Sequence, residues 1–208
     1  MEVGGHIGYL SIVFSSLIGD NGKLYVFEPG ENNLAYTERN LNSLSNTSLI
    51  KKAVSNTNGT VELFLEDLTG QNNSIVENYH QFESNVKNSG VNDVQINSTT
   101  IPCITLDKFV QESIEGKISF IKIDIEGAEL MALQGATDIL RSHGPGLMVE
   151  ITVGSREVFE LLTSSGYKLF TPSGKKITDP EQISGNTFCW KTDNEIEKFL
   201  LDETRSHT

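Results

Sequence analysis

Short apolar runs and longer amphipathic stretches alternate along this chain. LYVFEP (Leu24 to Pro29), ISFIKIDI (Ile118 to Ile125) and LMVEI (Leu147 to Ile151) are too short and too apolar for surface helices, and they read as buried strands. Between them, apolar residues recur three and four positions apart, the helical rhythm. The pattern predicts helices from Gly8 to about Ile18, Glu31 to Leu44 (Leu34, Leu41 and Leu44 on one face), Thr105 to Ile114, Ala128 to Arg141, and Ser155 to Ser165 behind a serine cap. Ser48 to Val54 reads as a third short strand. Thr60 to Leu65 reads as a strand in a hairpin beyond the sheet edge. Tyr167 to Phe170 and Thr187 to Lys191 read as a closing pair, and Asp193 to Leu201 as a short amphipathic helix. Strand–helix alternation of this kind predicts an α/β fold with a mainly parallel sheet. Gly70 to Thr100 is polar and lacks either rhythm, so it reads as a long irregular segment shaping a binding site. No repeat or linker divides residues 1–208, which are expected to form one domain.

Composition narrows the function classes. With 208 residues, 37% of them hydrophobic, the chain can build a proper core. A net charge of −12 disfavours nucleic acid and anionic membrane surfaces as partners. No apolar run reaches the roughly 18 residues of a membrane span. Cys103 and Cys189 are too few for a disulfide framework or a zinc site, and they read as buried thiols in a reducing compartment, the cytoplasm.

The chemistry collects where apolar strands end. Phe120 to Leu130 (FIKIDIEGAEL) closes a strand with Asp124 and Glu126 and opens a helix after a glycine. Ligands of open α/β sheets bind outside the carboxyl ends of the strands, so acids placed there are available to them. Glu2 to Leu17 (EVGGHIGYLSIVFSSL) supplies another acid and a turn with Gly4, Gly5 and Gly8, whose missing Cβ atoms allow close backbone approach to a ligand. Glu28 ends the next strand, where an acid can accept hydrogen bonds from a ribose diol. Alternation places Phe120, Lys122 and Asp124 on one sheet face and the isoleucines on the other. Lys122 then either serves the site or pairs with a buried carboxylate. Glu126 either faces a substrate or accepts backbone N–H groups at the following helix start. His80 is a candidate base in the polar interval, and His143 stands at a helix C-terminus, where a cation is favoured.

Six segments in order, EVGGHIGYLS, YVFEPGENNLAYTERNLNSL, KKAVSNTNGTVEL, TLDKF, FIKIDIEGAELMALQGA and LMVEI, resemble the FkbM-type methyltransferases, a branch of the class I S-adenosylmethionine-dependent enzymes. The likeness covers about Glu2 to Thr152. It implies a Rossmann-like sheet of seven strands in the order 3-2-1-4-5-7-6, the last antiparallel, with helices on both faces. It implies that Glu2, Gly4, Gly5, His6 and Gly8 wrap the methionine part of S-adenosyl-L-methionine, that Glu28 holds the ribose and that Ala53 lies beside the adenine. Asp124 and Glu126 become the catalytic candidates, Asp124 also touching the cofactor. Ser74 and Glu150 become substrate-side candidates, and no metal is required. Glu2 stands where the family usually has Asp, and His6 where Asn is common. Asp107 matches the family's Thr-Leu-Asp position and reads equally as a helix N-terminal acid.

The expected activity is O-methylation of a sugar, glycan or polyketide-like hydroxyl, with homo-oligomerisation possible. Competing readings are a non-catalytic cofactor-binding or scaffold protein and a nicotinamide-dependent oxidoreductase. Against the latter, the first turn lacks G-x-G-x-x-G and no catalytic Tyr/Lys pair stands out. Met1 to Val3 is short for a central strand, and family members carry a preceding segment that helps close the cofactor pocket. The expectation is therefore that the functional protein starts upstream of Met1.

Overall fold

A computed structural model describes residues 1–19, 21–66, 71–77 and 96–191. The first part runs β1 (Glu2–Val3), α1 (Tyr9–Ile18), β2 (Leu24–Phe27), α2 (Glu31–Leu41) and β3 (Thr47–Ile50). β4 (Ala53–Val54), β5 (Gly59–Glu66), β6 (Ile96–Ile104) and α3 (Leu106–Ser113) follow. The rest comprises β7 (Phe120–Ile123), α4 (Glu129–Gln134), α5 (Thr137–Ser142), β8 (Gly146–Ile151), α6 (Ser155–Ser164), β9 (Tyr167–Phe170), β10 (Lys176–Ile177) and β11 (Gly185–Lys191).

The central sheet has the order β10-β9-β11-β8-β7-β1-β2-β3. β3, β2, β1, β7 and β8 are mutually parallel, and β11 runs antiparallel to both its neighbours. With the edge strand β10 set aside and the others counted in chain order, the order is 3-2-1-4-5-7-6, as the family likeness implies. Short β1 is extended by neighbouring bonds: Lys122 N donates to the Met1 carbonyl and Asp124 N to the Val3 carbonyl, both at 3.0 Å.

The two faces of this sheet are built differently. Ile121, Ile123, Leu147 and Val149 are at most 1% exposed and join one core with Ala132, Leu133 and Leu140 of α4 and α5 and Val158 and Leu162 of α6. Each of the valine, leucine and isoleucine side chains contributes about 1.5–3 kcal/mol on burial. The opposite face carries Glu2 and Lys122 in register on adjacent strands. α1 packs here with small polar residues inward: Ser11 donates to Glu2 Oε2 and Ser15 to Asn46 Oδ1, both at 2.5 Å. Its larger residues Tyr9, Ile12, Val13 and Leu17 are left exposed.

Several boundaries differ from the sequence reading. The expected strand Ser48–Val54 is two strands. β3 belongs to the central sheet and β4 to a second, three-stranded sheet of order β4-β6-β5, because the exposed Lys51 and Lys52 between them cannot be buried in a central strand. β5 pairs antiparallel with β6 across the polar interval, so Ile96–Thr100 is strand, not irregular chain. Its polar residues escaped notice because they stand largely exposed on a small sheet. α2 stops at Leu41. α6 is entered through Gly154 in the left-handed region (φ +67°) without any serine cap.

The expected helix Ala128–Arg141 is broken at Gly135, where an added Cβ would come 2.2 Å from the Ser55 carbonyl oxygen. Asp107 caps the second piece: its carboxylate accepts Asp138 N at 3.0 Å and Ile139 N at 2.9 Å, while Thr105 caps Asp107's own helix. A cap of this kind contributes about 0.5–2 kcal/mol. His143, at the end of α5, accepts the Ile118 N–H through Nδ1 at 3.0 Å and so ties that helix end to the chain entering β7. His80 and Asp193–Leu201 lie outside the described residues.

Candidate functional site

The carboxyl ends of β1, β2, β7 and β8 meet in a cavity of about 350 Å³, within the usual range for small-molecule sites. Gly4, Glu28 and Asp124 all line it. The glycine turn after β1 forms one wall. Gly4 N and Gly5 N both donate to the Phe27 carbonyl at 3.0 Å, curling the chain over β2. Packing within the protein by itself requires both glycines. At Gly4 (φ +86°) a Cβ would fall 1.8 Å from the Asp124 carbonyl oxygen, and at Gly5 it would fall 2.4 Å from Val26 Cγ1. Gly8 does not line the cavity; at φ +83° it starts α1 beside Leu41. His6 adopts φ +47°, a region that Asn and His enter more readily than most residues. That explains why His stands at a position where Asn is common.

Glu28 closes the wall at the β2 tip. It is 4% exposed, and its two oxygens divide the work. Oε1 accepts Gly30 N at 2.9 Å and Asn33 Nδ2 at 3.3 Å; Oε2 accepts His6 N at 2.7 Å. Burial raises its proton affinity, while the three N–H donors oppose that rise. Oε2 keeps acceptor capacity for one further donor.

Lys122 is the buried cation of the floor, 4% exposed. Its Nζ lies 3.1 Å from Asp124 Oδ2 and 4.0 Å from Glu2 Oε1, and it donates to the Gly4 carbonyl at 3.1 Å. The sequence alternative of a lysine–carboxylate pair is the arrangement found. Glu2 is 1% exposed and held by Ser11 and Lys122; burial raises its proton affinity, with the Ser11 bond and the Lys122 charge opposing.

The opposite wall is acidic. The pairing of Lys122 with Met148 places Asp124 and Glu150 side by side at the tips of β7 and β8. Partial burial first, then a hydrogen bond to Asp124 and the Asp124 charge, push the Glu150 carboxyl up to about 7. Glu126 occupies φ +52°. Among the described residues, His6 and Glu126 are the two non-glycine residues at positive φ, and both line the cavity. Such strain costs on the order of 1–3 kcal/mol and needs surrounding support. Glu129 supplies it: Oε1 accepts Gly127 N at 3.0 Å and Ile125 N at 3.3 Å. Glu129 makes backbone-accepting bonds of the kind weighed for Glu126, and its buried carboxyl is pushed up to about 7 chiefly by desolvation.

Ser74 is buried outside the cavity lining, its Oγ donating to the Glu126 carbonyl at 2.6 Å. Its neighbours Asn73 and Ile75 face the cavity instead. Alternation along this short bridged segment decides the difference, and the sequence carried no register to show it. Ala53 lines the cavity with Val54, Leu63, Phe27 and Ile75, an apolar slot able to take a flat ring. Lys52, Asn33 and Gln71 also line it and were not singled out by the sequence. Among the described residues, no three His, Cys, Asp or Glu side chains are arranged to hold a metal ion.

The cavity has a definite electrostatic sign. Five carboxyl groups line it (Glu2, Glu28, Asp124, Glu126 and Glu150), against Lys52, Lys122 and no arginine among the described residues. It favours a cationic ligand and disfavours a pyrophosphate, which wants arginine, lysine or a helix N-terminus.

No curated protein matches the chain significantly. Solved structures do. A methyltransferase FkbM from Methylobacillus flagellatus aligns over 91% of this chain with 19% identity and a TM-score of 0.53; this chain spans 42% of its length. A precorrin-6y C5,15-methyltransferase from Geobacter metallireducens covers 92% of this chain and 78% of its own, with 14% identity and a TM-score of 0.46. A SAM-dependent O-methyltransferase from Thermotoga maritima covers 93% and 58%, with 10% identity and a TM-score of 0.47. The decisive match is to the methyltransferase FkbM domain model, which takes in residues 2–169 and so both walls of the cavity. With the strand order and the site at the strand tips already in hand, that match places the chain in the FkbM methyltransferase family.

Proposed function

We propose that this chain binds S-adenosyl-L-methionine in the cavity and catalyses methylation of a hydroxyl on a neutral small molecule or glycan, such as a sugar or a polyketide-like compound, in the cytoplasm. The observation that carries the reading is a cavity lined by five carboxyl groups at and beside the carboxyl ends of parallel strands, together with the apolar Phe27, Ala53, Val54, Leu63 and Ile75. The residues fit the cofactor part by part. Glu28 Oε2 has room for a ribose hydroxyl, the Ala53–Leu63 slot suits the purine, and the acidic wall suits a sulfonium. The bound cofactor would supply an electrophilic methyl group; the chain's own task is to align the acceptor, exclude water and take up a proton.

Glu28 orients the nucleoside, and the Asn33 and Gly30 bonds fix Glu28 in turn. Lys122 holds Asp124 and Glu2 against the Gly4 carbonyl and so ties the turn after β1 to the tip of β7. The free, buried Cys103 and Cys189 accord with a reducing compartment. Among the described residues no helix is long and apolar enough to cross a membrane.

Calorimetry tests the reading. S-adenosylmethionine and S-adenosylhomocysteine should bind one to one in the micromolar range, while NAD should show no saturable heat. Saturable binding of NAD without binding of either sulfur nucleoside would reverse the assignment. Transfer of a labelled methyl group into an oligosaccharide or metabolite pool separates an enzyme from a protein that merely binds.

A further inference from the structure

We propose that Asp124 and Glu150 hold a single proton between them and act together as the proton acceptor for a neutral hydroxyl substrate. This rests on the cofactor assignment above and adds roles that the assignment alone does not give. The register of β7 with β8 sets the two carboxyl groups side by side at the cavity wall, and both line it. Two carboxylates in contact cannot both ionise freely, so one proton stays on the pair. The Lys122 ammonium, 3.1 Å from Asp124 Oδ2, directs that proton to Glu150. The groups facing Glu150 are Asp124 and Lys122 from β7, Glu126 from the turn beyond it, and Asn186 from β11, which does not titrate. The upward displacement of the Glu150 carboxyl is the expected consequence.

The step balances. The substrate O–H passes its proton to the free carboxylate position of the pair, its oxygen forms a bond to the methyl carbon, and the carbon–sulfur bond breaks with its electron pair staying on sulfur. A pair of charge −1 and a sulfonium of charge +1 become a diacid and a thioether, both neutral. The cavity's total charge is unchanged, so little solvent rearrangement is needed. An anionic acceptor would add charge beside three carboxyl groups, so the acceptor class is a neutral polyol.

Carbon-13 NMR of protein labelled at the glutamate carboxyl carbons tests the pair without turnover. In wild type, Glu150 should titrate two pH units or more above the exposed glutamates. In Asp124→Asn its midpoint should move down by at least one unit. A Glu150 midpoint among the exposed glutamates, or one unmoved by Asp124→Asn, would overturn the pair whatever the cofactor does. Titrating S-adenosylhomocysteine into the same samples keeps the two readings apart: binding with an ordinary Glu150 sinks the pair alone, and a displaced Glu150 without binding sinks the cofactor assignment alone. The role is tested with labelled methyl transfer into methyl β-D-glucopyranoside and glucose 6-phosphate as neutral and anionic probes. Transfer to the neutral probe at least tenfold faster, with a pH profile shifted in Glu150→Gln, supports it. Equal transfer to both probes, or a profile unchanged in Glu150→Gln, contradicts it. If neither probe is methylated, the NMR titration decides whether the pair exists, and an ordinary Glu150 midpoint removes the acceptor role with it.

Discussion

The tip of β2 and the tips of β7 and β8 both present carboxyl groups to one cavity, yet the protein surrounds them in opposite ways. Glu28 is gripped by three N–H donors from the turn after β1 and the start of α2. Asp124 and Glu150 instead face each other, with one ammonium on the Asp124 side. Donors around a buried carboxylate oppose the rise in proton affinity that burial brings and fix it in place, as a clamp must be. A second carboxyl beside it keeps a proton in play, as proton transfer requires. Residue type is the same at both ends; the partners set the role.

The harshest way to break this contrast is to separate the two ends. In Gly4→Ala, a Cβ falls on the Asp124 carbonyl at a φ that alanine resists, so turn and strand must part. The expected loss is on the order of 4 kcal/mol or more, read by denaturant unfolding. An alanine variant as stable as wild type would show that the turn and the β7 tip are not held so closely.

Removing the shared cation comes next. Lys122→Met leaves the buried Glu2 without its counter-charge, at a cost of about 3–5 kcal/mol. The loss should be larger at pH 8 than at pH 5, because Glu2 is then more fully ionised. A loss independent of pH would mean that the lysine acts only by packing.

Glu129 sharpens the contrast from behind, since it supports the strained Glu126. Its carboxyl, ordinarily near 4.5, is raised to about 7, so the folded state holds the proton more tightly than the unfolded chain. The stability this gives is fully present below about pH 4.5 and is lost as pH rises to about 7, amounting to roughly 3 kcal/mol at most. Glu129→Gln should remove most of that slope. Glu150 contributes a smaller slope of the same sign, being more exposed, and the buried Met1 amino group, lowered to about 6, acts oppositely above that pH. The difference between wild type and variant in thermal unfolding at several pH values is therefore the readout. An unchanged difference across the window would remove Glu129 from this role.

The smallest effect is at the clamp. Glu28→Gln keeps an acceptor but places an amide among N–H donors. Affinity for S-adenosylhomocysteine should fall roughly 30-fold, about 2 kcal/mol, by calorimetry. In Asp124→Asn the same affinity should change little while turnover falls. A reversal of the two would exchange the roles of the ends.

Strand tips and their acids were legible because a buried apolar run that ends in an acid or a glycine turn has few other uses. Glu2, Glu28, Asp124, Glu126 and Glu150 were all found that way, and all line the cavity. What stayed hidden depended on partners distant in sequence. Gly135 breaks a helix because Ser55 comes close, and Asp107 caps a helix about 30 residues away. Ser74 was named without a register to orient it. Glu129 was not singled out, because burial cannot be read from a single charged letter. The glycines were seen for their closeness to a ligand, while the missing Cβ at Gly4 and Gly5 also leaves room for β7 and β2, a demand the sequence could not show.

A crystal structure with S-adenosylhomocysteine bound tests the two-ended cavity most directly. The account predicts a ribose hydroxyl about 3 Å from Glu28 Oε2, the purine against Ala53 and Leu63, and the sulfur turned toward Asp124 and Glu150. A nucleoside bound with Glu28 untouched, or with its sulfur pointing away from the β7 and β8 tips, would contradict it.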